Sequence, residues 1–204
     1  MYKTISSAVT AELTEKRSRF ICLAAPVGDE AAALSLLEGV RARHRDANHN
    51  CHAYILRAGS LQRYSDDGEP SGTAGMPILE VLRHKGLVDI IAVVTRYFGG
   101  TLLGAGGLVR AYSSAAALAL ERAVTIEMHP CTVFSLELPY QLHSKLRGLL
   151  ARFGGQTLSE EFSDTVRLQL RIRADKFPAF NRELADVTAG SVSAVLLREE
   201  FAQA

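Results

Sequence analysis

The sequence predicts an α+β protein of two domains, on three observations. A chain of 204 residues with 48% hydrophobic and 22% charged residues can bury one large or two small cores. From Cys131 onward the segments run strand, helix, strand, strand, helix, strand, the βαββαβ order of a ferredoxin-like fold, in which an antiparallel sheet carries two helices on one face. Before the connecting segment "TIEMHP", strand and helix patterns also alternate but in a different order. The expected domains are therefore residues 1–129 and 130–204.

In chain order, Thr4 to Leu13 and Ser18 to Val27 carry β-compatible residues around the charged turn "TEKR" and read as an antiparallel pair. Asp29 is placed to cap a helix over Asp29 to His44, whose Leu34, Leu37 and Val40 recur at three-residue spacing. "NHNCHAYILRAG" returns to strand, and Ser60 to Gly75 is polar and turn-rich. Pro77 to His84 has the spacing of a short helix, where Pro77 sits without loss in the first turn. "LVDIIAVVTRYF" is an almost unbroken apolar run, the mark of a strand covered on both faces. A glycine-rich loop follows, then a helix from about Gly106 to Ala123. The second half reads as strand "CTVFSLEL", helix "QLHSKLRGLLARF", strands "QTLSEEF" and "TVRLQLRI", helix "DKFPAFNRELADVT" and strand "SVSAVLLREE".

A formal charge of +1 without a run of lysines or arginines gives no bulk attraction for nucleic acid, although local patches remain open. Cys22, Cys51 and Cys131 are odd in number, widely spaced and free of any CxxC pattern. That argues against a disulfide framework or zinc knuckle and predicts a reducing, cytoplasmic setting. The amino-terminal stretch has no apolar core of signal-peptide length and no apolar segment is long enough to span a membrane, so no membrane partner is expected.

The stretch "RYFGGTLLGAGGLVRAY" concentrates the interest. Gly99, Gly100, Gly104, Gly106 and Gly107 lie between a buried strand and a helix, bracketed by Arg96 and Arg110. Free N–H groups and the positive end of a helix dipole at such a place bind anions, and converging guanidiniums would add forked donors. Neither a Walker A loop nor a dinucleotide fingerprint is completed, because Ala105 replaces the lysine of the first and Val109 the third glycine of the second. The plainer alternative is a sharp strand-to-helix turn.

"YSDDGEPSGTAG" gathers Asp66, Asp67 and Glu69 without the ligand spacing of a calcium loop. Magnesium held jointly with a phosphate remains open; the plainer role is a turn whose carboxylates bind nearby N–H groups. No resident cofactor is expected. His49 and Cys51 share one strand face, but neighbours at i and i+2 are too nearly parallel to organise a proton relay alone. Cys51 reads as a small buried hydrophobe and His49 as an accessory hydrogen-bonding group. No G-x-S-x-G, HExxH or kinase signature occurs, so no catalytic residue is assigned and the chain leans away from being an enzyme.

"KRSRFI", "ANHNCHAY", "SDDGEPSGTAGMP" and "VVTRYFGGTLLGAGGLVRAY", in that order, resemble the IMPACT family, specifically its bacterial YigZ branch. The resemblance implies an N-terminal domain of the fold shared by ribonuclease PH, GHMP kinases and domain four of elongation factor G, and a ferredoxin-like C-terminal domain similar to domain five of that factor. It also implies a role near translation, since eukaryotic members regulate it under amino-acid starvation through a kinase activator; bacteria lack that kinase, so the role does not transfer as it stands. The family-matching positions are His49, Asp66, Asp67, Gly68, Glu69, Gly72, Thr73, Gly75, Arg96, Gly99, Gly100, Gly104, Gly106, Gly107 and Arg110. Asn48 and Asn50 stand beside His49 where close relatives can carry Arg or His, which implies a less basic surface there.

The sequence thus leads to a non-catalytic binding module meeting RNA, the ribosome or a protein partner. Arg96, Arg110, Thr73 and the loop glycines are the expected anion contacts. The alternative is an enzyme or sensor for a small phosphorylated ligand at the glycine loop, by analogy with the GHMP kinases.

Overall fold

A computed structural model describes residues 1–203. The chain divides into two compact units, Tyr2–Ile126 and the residues from Glu127 on.

The first unit begins with β1 (Tyr2–Ile5), β2 (Val9–Glu15) and β3 (Ser18–Pro26), then α1 (Glu30–Arg43), β4 (His49–Leu56) and β5 (Leu61–Ser65). It continues with α2 (Gly75–His84), β6 (Ile90–Tyr97) and α3 (Ala105–Arg122). The sheet order is β2-β3-β6-β4-β5, every pairing antiparallel, with β6 in the middle. The side-chain period of two divides β6 between two cores. Ile90, Ala92 and Val94 join Phe20, Cys22 and Cys51 beneath Ile78, Leu82, Tyr112 and Ala116 of α2 and α3. Ile91 and Val93 pack with Leu37 and Val40 of α1 on the other face. The unbroken apolar run therefore has the cause expected for it, burial on both sides. α1 starts where Asp29 Oδ1 accepts the Ala32 N–H at 2.7 Å.

Two expectations need correction here. Thr4 to Leu13 is not one strand: β1 ends at Ile5, and its Lys3 carbonyl accepts the Val88 N–H at 2.9 Å. Residues 61–65, expected as loop, form β5, paired only with β4. As a polar, largely exposed edge strand, β5 has no buried face to impose apolar alternation on its sequence.

The second unit contains most of β7 (Thr125–Leu138), followed by α4 (Tyr140–Arg152), β8 (Gln156–Phe162), β9 (Val166–Arg173), α5 (Phe177–Thr188) and β10 (Val195–Ala202). These strands lie in the order β10-β7-β9-β8, all antiparallel, which is the ferredoxin-like arrangement. Phe134, Leu136, Leu168 and Leu170 of the sheet pack with Leu146, Leu149, Phe180 and Leu184 of α4 and α5. The opposite face carries Glu137 and Arg167, paired at 3.2 Å. The α+β, two-domain architecture expected from the sequence is thus present in both halves.

Phe134 is fully buried, with its ring centroid 5.0 Å from that of Phe177 and 5.3 Å from that of Phe180. Phe134→Ala should cost about 3–5 kcal/mol, read as an earlier unfolding midpoint of the second unit in urea. An unchanged midpoint would show that this aromatic cluster is not its keystone.

Candidate functional site

The site forms where the regular alternation of β6 reaches a charged residue. Arg96 has the parity of Ile90, Ala92 and Val94, so its side chain points into the α2–α3 core, where it is 7% exposed. A guanidinium there requires a counter-charge. Glu69 supplies it: Arg96 Nη1 donates to Glu69 Oε1 at 2.5 Å, and the Tyr112 hydroxyl donates to the same oxygen at 2.8 Å. Arg96 Nη2 donates to Ser18 Oγ at 3.4 Å, while the rings of Phe20 and Phe98 each lie 5.5 Å from the guanidinium. Burial above all, with Cys51 and Glu69 alongside, pushes the Tyr112 phenol far up, so it stays a donor at neutral pH.

His49 lies directly across from Arg96 in the β4–β6 register. Its Nδ1 is 2.8 Å from the Asp67 carbonyl oxygen. A carbonyl only accepts, so Nδ1 carries the proton and donates. Nε2 is left as the second nitrogen, 3.9 Å from Glu69 Oε1.

The three carboxylates of the acidic loop have separate tasks. Asp66 accepts the N–H groups of Gly72, Ala74 and Gly75 at 2.8, 3.0 and 2.8 Å, closing the loop and capping α2. Asp67 accepts from Arg41 at 2.7 Å and from the Asn50 N–H at 2.6 Å. Glu69 faces Arg96. Among the described residues, no three His, Cys, Asp or Glu side chains are grouped as a metal site. Thr73, expected beside an anion, donates its hydroxyl to the Pro70 carbonyl at 2.6 Å and belongs to the same turn. Cys51 donates to the Asp66 carbonyl at 2.9 Å, and burial pushes its thiol up to about 12.

The two arginines that bracket the glycine loop do not converge. Arg96 lines a cleft of about 460 Å³ together with His49, Glu69, Phe98, Leu102 and Leu108. Arg110 is exposed and lines a different recess, of about 400 Å³, with Lys16, Thr14 and Ser114. The expectation of two guanidiniums on one anion is therefore corrected: α3 carries Arg110 away while β6 turns Arg96 inward. Leu103 lines both hollows.

Gly99 is the tightest point of the loop. A Cβ there would stand 2.0 Å from the backbone of Arg17, so the loop lies against the β2–β3 turn. Gly104 has φ 73° and precedes α3 without a side-chain cap. Its carbonyl accepts the Leu108 N–H, and the N–H groups of Ala105, Gly106 and Gly107 remain open at the helix start. Gly100 also has a positive φ, 81°. Tyr112, Ser18, Phe98 and Arg17 lie within the family-like stretches "KRSRFI" and "VVTRYFGGTLLGAGGLVRAY" but are not among the site residues the sequence singles out. The available signal is parity: an arginine in phase with core residues demands a buried acid and donors around it.

Two outcomes follow. Glu69→Ala strands a buried guanidinium and should destabilise the first unit by about 3–5 kcal/mol, measured by chemical denaturation; a loss below about 1 kcal/mol would mean that Arg96 finds water instead. Because the raised Cys51 pKa keeps the thiol protonated below about pH 12, iodoacetamide at about pH 8 should label Cys51 only after unfolding, as peptide mapping would reveal. Rapid labelling of the native protein would contradict this environment.

Comparison with known proteins identifies the family of both halves. Residues 16–120 match the Impact N-terminal domain, and residues 136–191 match DUF1949, a domain of unknown function. The chain is 38% identical over 187 residues to IMPACT family member YigZ of Escherichia coli (strain K12), covering 90% of this chain and 92% of that protein. It is 36% identical to IMPACT family member YvyE of Bacillus subtilis (strain 168), over 93% and 88% of the two chains. A crystal structure described as that of a hypothetical protein superposes with a TM-score of 0.65 at 37% identity, covering 98% of both chains. With both halves matched in order and nearly the full length aligned, the chain belongs to the IMPACT family.

Proposed function

We propose that this IMPACT-family chain is a non-catalytic binding module that docks its first unit on the phosphate backbone of structured RNA, in the setting of translation. The observation that carries the reading is a set of cations without internal partners. Lys16 and Arg17 occupy the β2–β3 turn, Arg110 the second turn of α3, and all three are exposed. None of their charged ends has a hydrogen-bond or ion-pair partner among the described residues, in contrast to Arg96, Arg41 and Arg19. Gly99 fixes the turn against the glycine loop, and α3 begins nearby with open N–H groups. Among the described residues, Glu15 is the one carboxylate lining the Arg110 recess.

Such a surface positions a backbone without reading a base. Leu102, 83% exposed at the loop tip, adds an apolar contact beside it. Arg96, whose charge Glu69 compensates, contributes to the fold of this surface rather than to its field.

The test is binding of ribosomes and of a structured RNA across a salt series, with Lys16→Ala/Arg17→Ala/Arg110→Ala beside the unaltered chain. Each phosphate that the variant no longer neutralises should flatten the slope of log K against log salt by about 0.7–0.9, and the triple variant should bind much more weakly at low salt. Association indifferent to salt, or equal in both proteins, would reject the RNA reading. Capture of ribosomal protein alone, surviving the triple substitution, would point to a protein interface instead.

A further inference from the structure

The cleft of about 460 Å³ beside the Arg96–Glu69 pair is not used by the backbone-docking reading, and its lining has a definite chemical character. Its polar groups are Asn48, His49, Glu69 and Arg96, with His49 Nε2 3.9 Å and Arg96 Nη1 2.5 Å from the same oxygen, Glu69 Oε1, and with Asn48 Oδ1 accepting the Phe98 N–H. His49 presents Nε2, an acceptor in the neutral ring because Nδ1 is spent on the Asp67 carbonyl. Glu69 makes its contacts through Oε1, which leaves Oε2 to accept. Arg96 Nη1 and Nη2 each carry a second N–H beyond the one given to Glu69 or to Ser18. This set therefore offers two acceptors, on His49 and Glu69, and a donor, on Arg96.

The rest of the lining is largely apolar: the half-exposed ring of Phe98, with Pro70, Leu102, Leu103 and Leu108. A flat aromatic body against such a lining, with a polar edge directed at the polar set, describes a nucleobase stacked on a phenyl ring. Of the four RNA bases only guanine offers two adjacent donors followed by an acceptor, the N2 amine, N1–H and O6. Adenine and cytosine place an acceptor beside their donor, and uracil has a single donor between two acceptors.

We propose that this cleft is a guanine-binding site, in which the base stacks on Phe98 and its N2, N1 and O6 edge meets His49, Glu69 and Arg96. The same chemistry serves a free guanine nucleotide or an unpaired guanine in RNA. The site stands independently of the cation cluster: Lys16 and Arg110 line a different recess, behind Leu103.

The experiment uses the full chain and isothermal titration with the four ribonucleoside 5′-monophosphates and inosine 5′-monophosphate. GMP is expected to bind at one site per chain. Inosine monophosphate, which lacks the N2 amine and leaves an acceptor unpaired, should bind about tenfold or more weakly, and AMP, CMP and UMP more weakly still. His49→Ala and Phe98→Ala, both at partly exposed positions, should each lower GMP affinity about tenfold or more while circular dichroism stays unchanged. A second arm compares RNA hairpins carrying one unpaired guanine, inosine or adenine. If the free nucleotides are silent but the guanine hairpin is preferred, and His49→Ala and Phe98→Ala abolish the preference, the source is RNA. Equal binding of all bases in both arms, or a guanine preference that survives both substitutions, would overturn the proposal. Failure of the salt-series test with guanine selectivity intact would reject backbone docking alone.

Discussion

A single buried ion pair organises the first unit. Arg96 sits in phase with the core of β6, and its charge is tolerable only because Glu69 reaches it from a loop 27 residues earlier in the chain. A pair of this kind adds little net stability over an apolar equivalent, but removing one partner is costly, so it fixes where the loop must lie. Tyr112 from α3 and Ser18 from β3 complete the arrangement, and four separate segments are thereby held at one point. The remaining acids of the loop are recruited to the same end: Asp66 caps α2 and Asp67 meets Arg41 and β4.

That division of labour separates architecture from surface chemistry in a stretch where the two look alike in the sequence. Arg96 and Arg110 flank the same glycines, yet one is an interior cation with a dedicated acid and the other is solvated at the rim of another hollow. The glycines serve both sides. Gly99 permits backbone-to-backbone contact with the β2–β3 turn, and Gly104 adopts the left-handed geometry from which α3 departs uncapped. The cleft beside Phe98 follows from both: a polar lining set by the ion pair, and an apolar one set by the loop.

Much of this is legible in the sequence, and the exceptions have physical causes. Elements with a strong period, such as α1 behind Asp29 or the βαββαβ order after Cys131, can be placed within a few residues because burial dictates their pattern. β5 cannot, since an exposed edge strand buries nothing that would leave a signature. The motif residues His49, Glu69 and Arg96 do meet, but their roles depend on a long-range pairing that spacing does not encode. Asp66 and Thr73 look like ligands in a linear reading because capping a turn and gripping an ion use the same oxygen atoms. Tyr112 escapes notice because a tyrosine inside an alanine-rich helix resembles ordinary core until a carboxylate is found beneath its hydroxyl.

The abutment of Gly99 on Arg17 has a steric corollary. No methyl group fits between the hairpin tip and the glycine segment, and the Gly99 N–H donates to Ser18 Oγ at 3.2 Å. Any larger residue at position 99 would prise the two apart where the chain most needs them to touch.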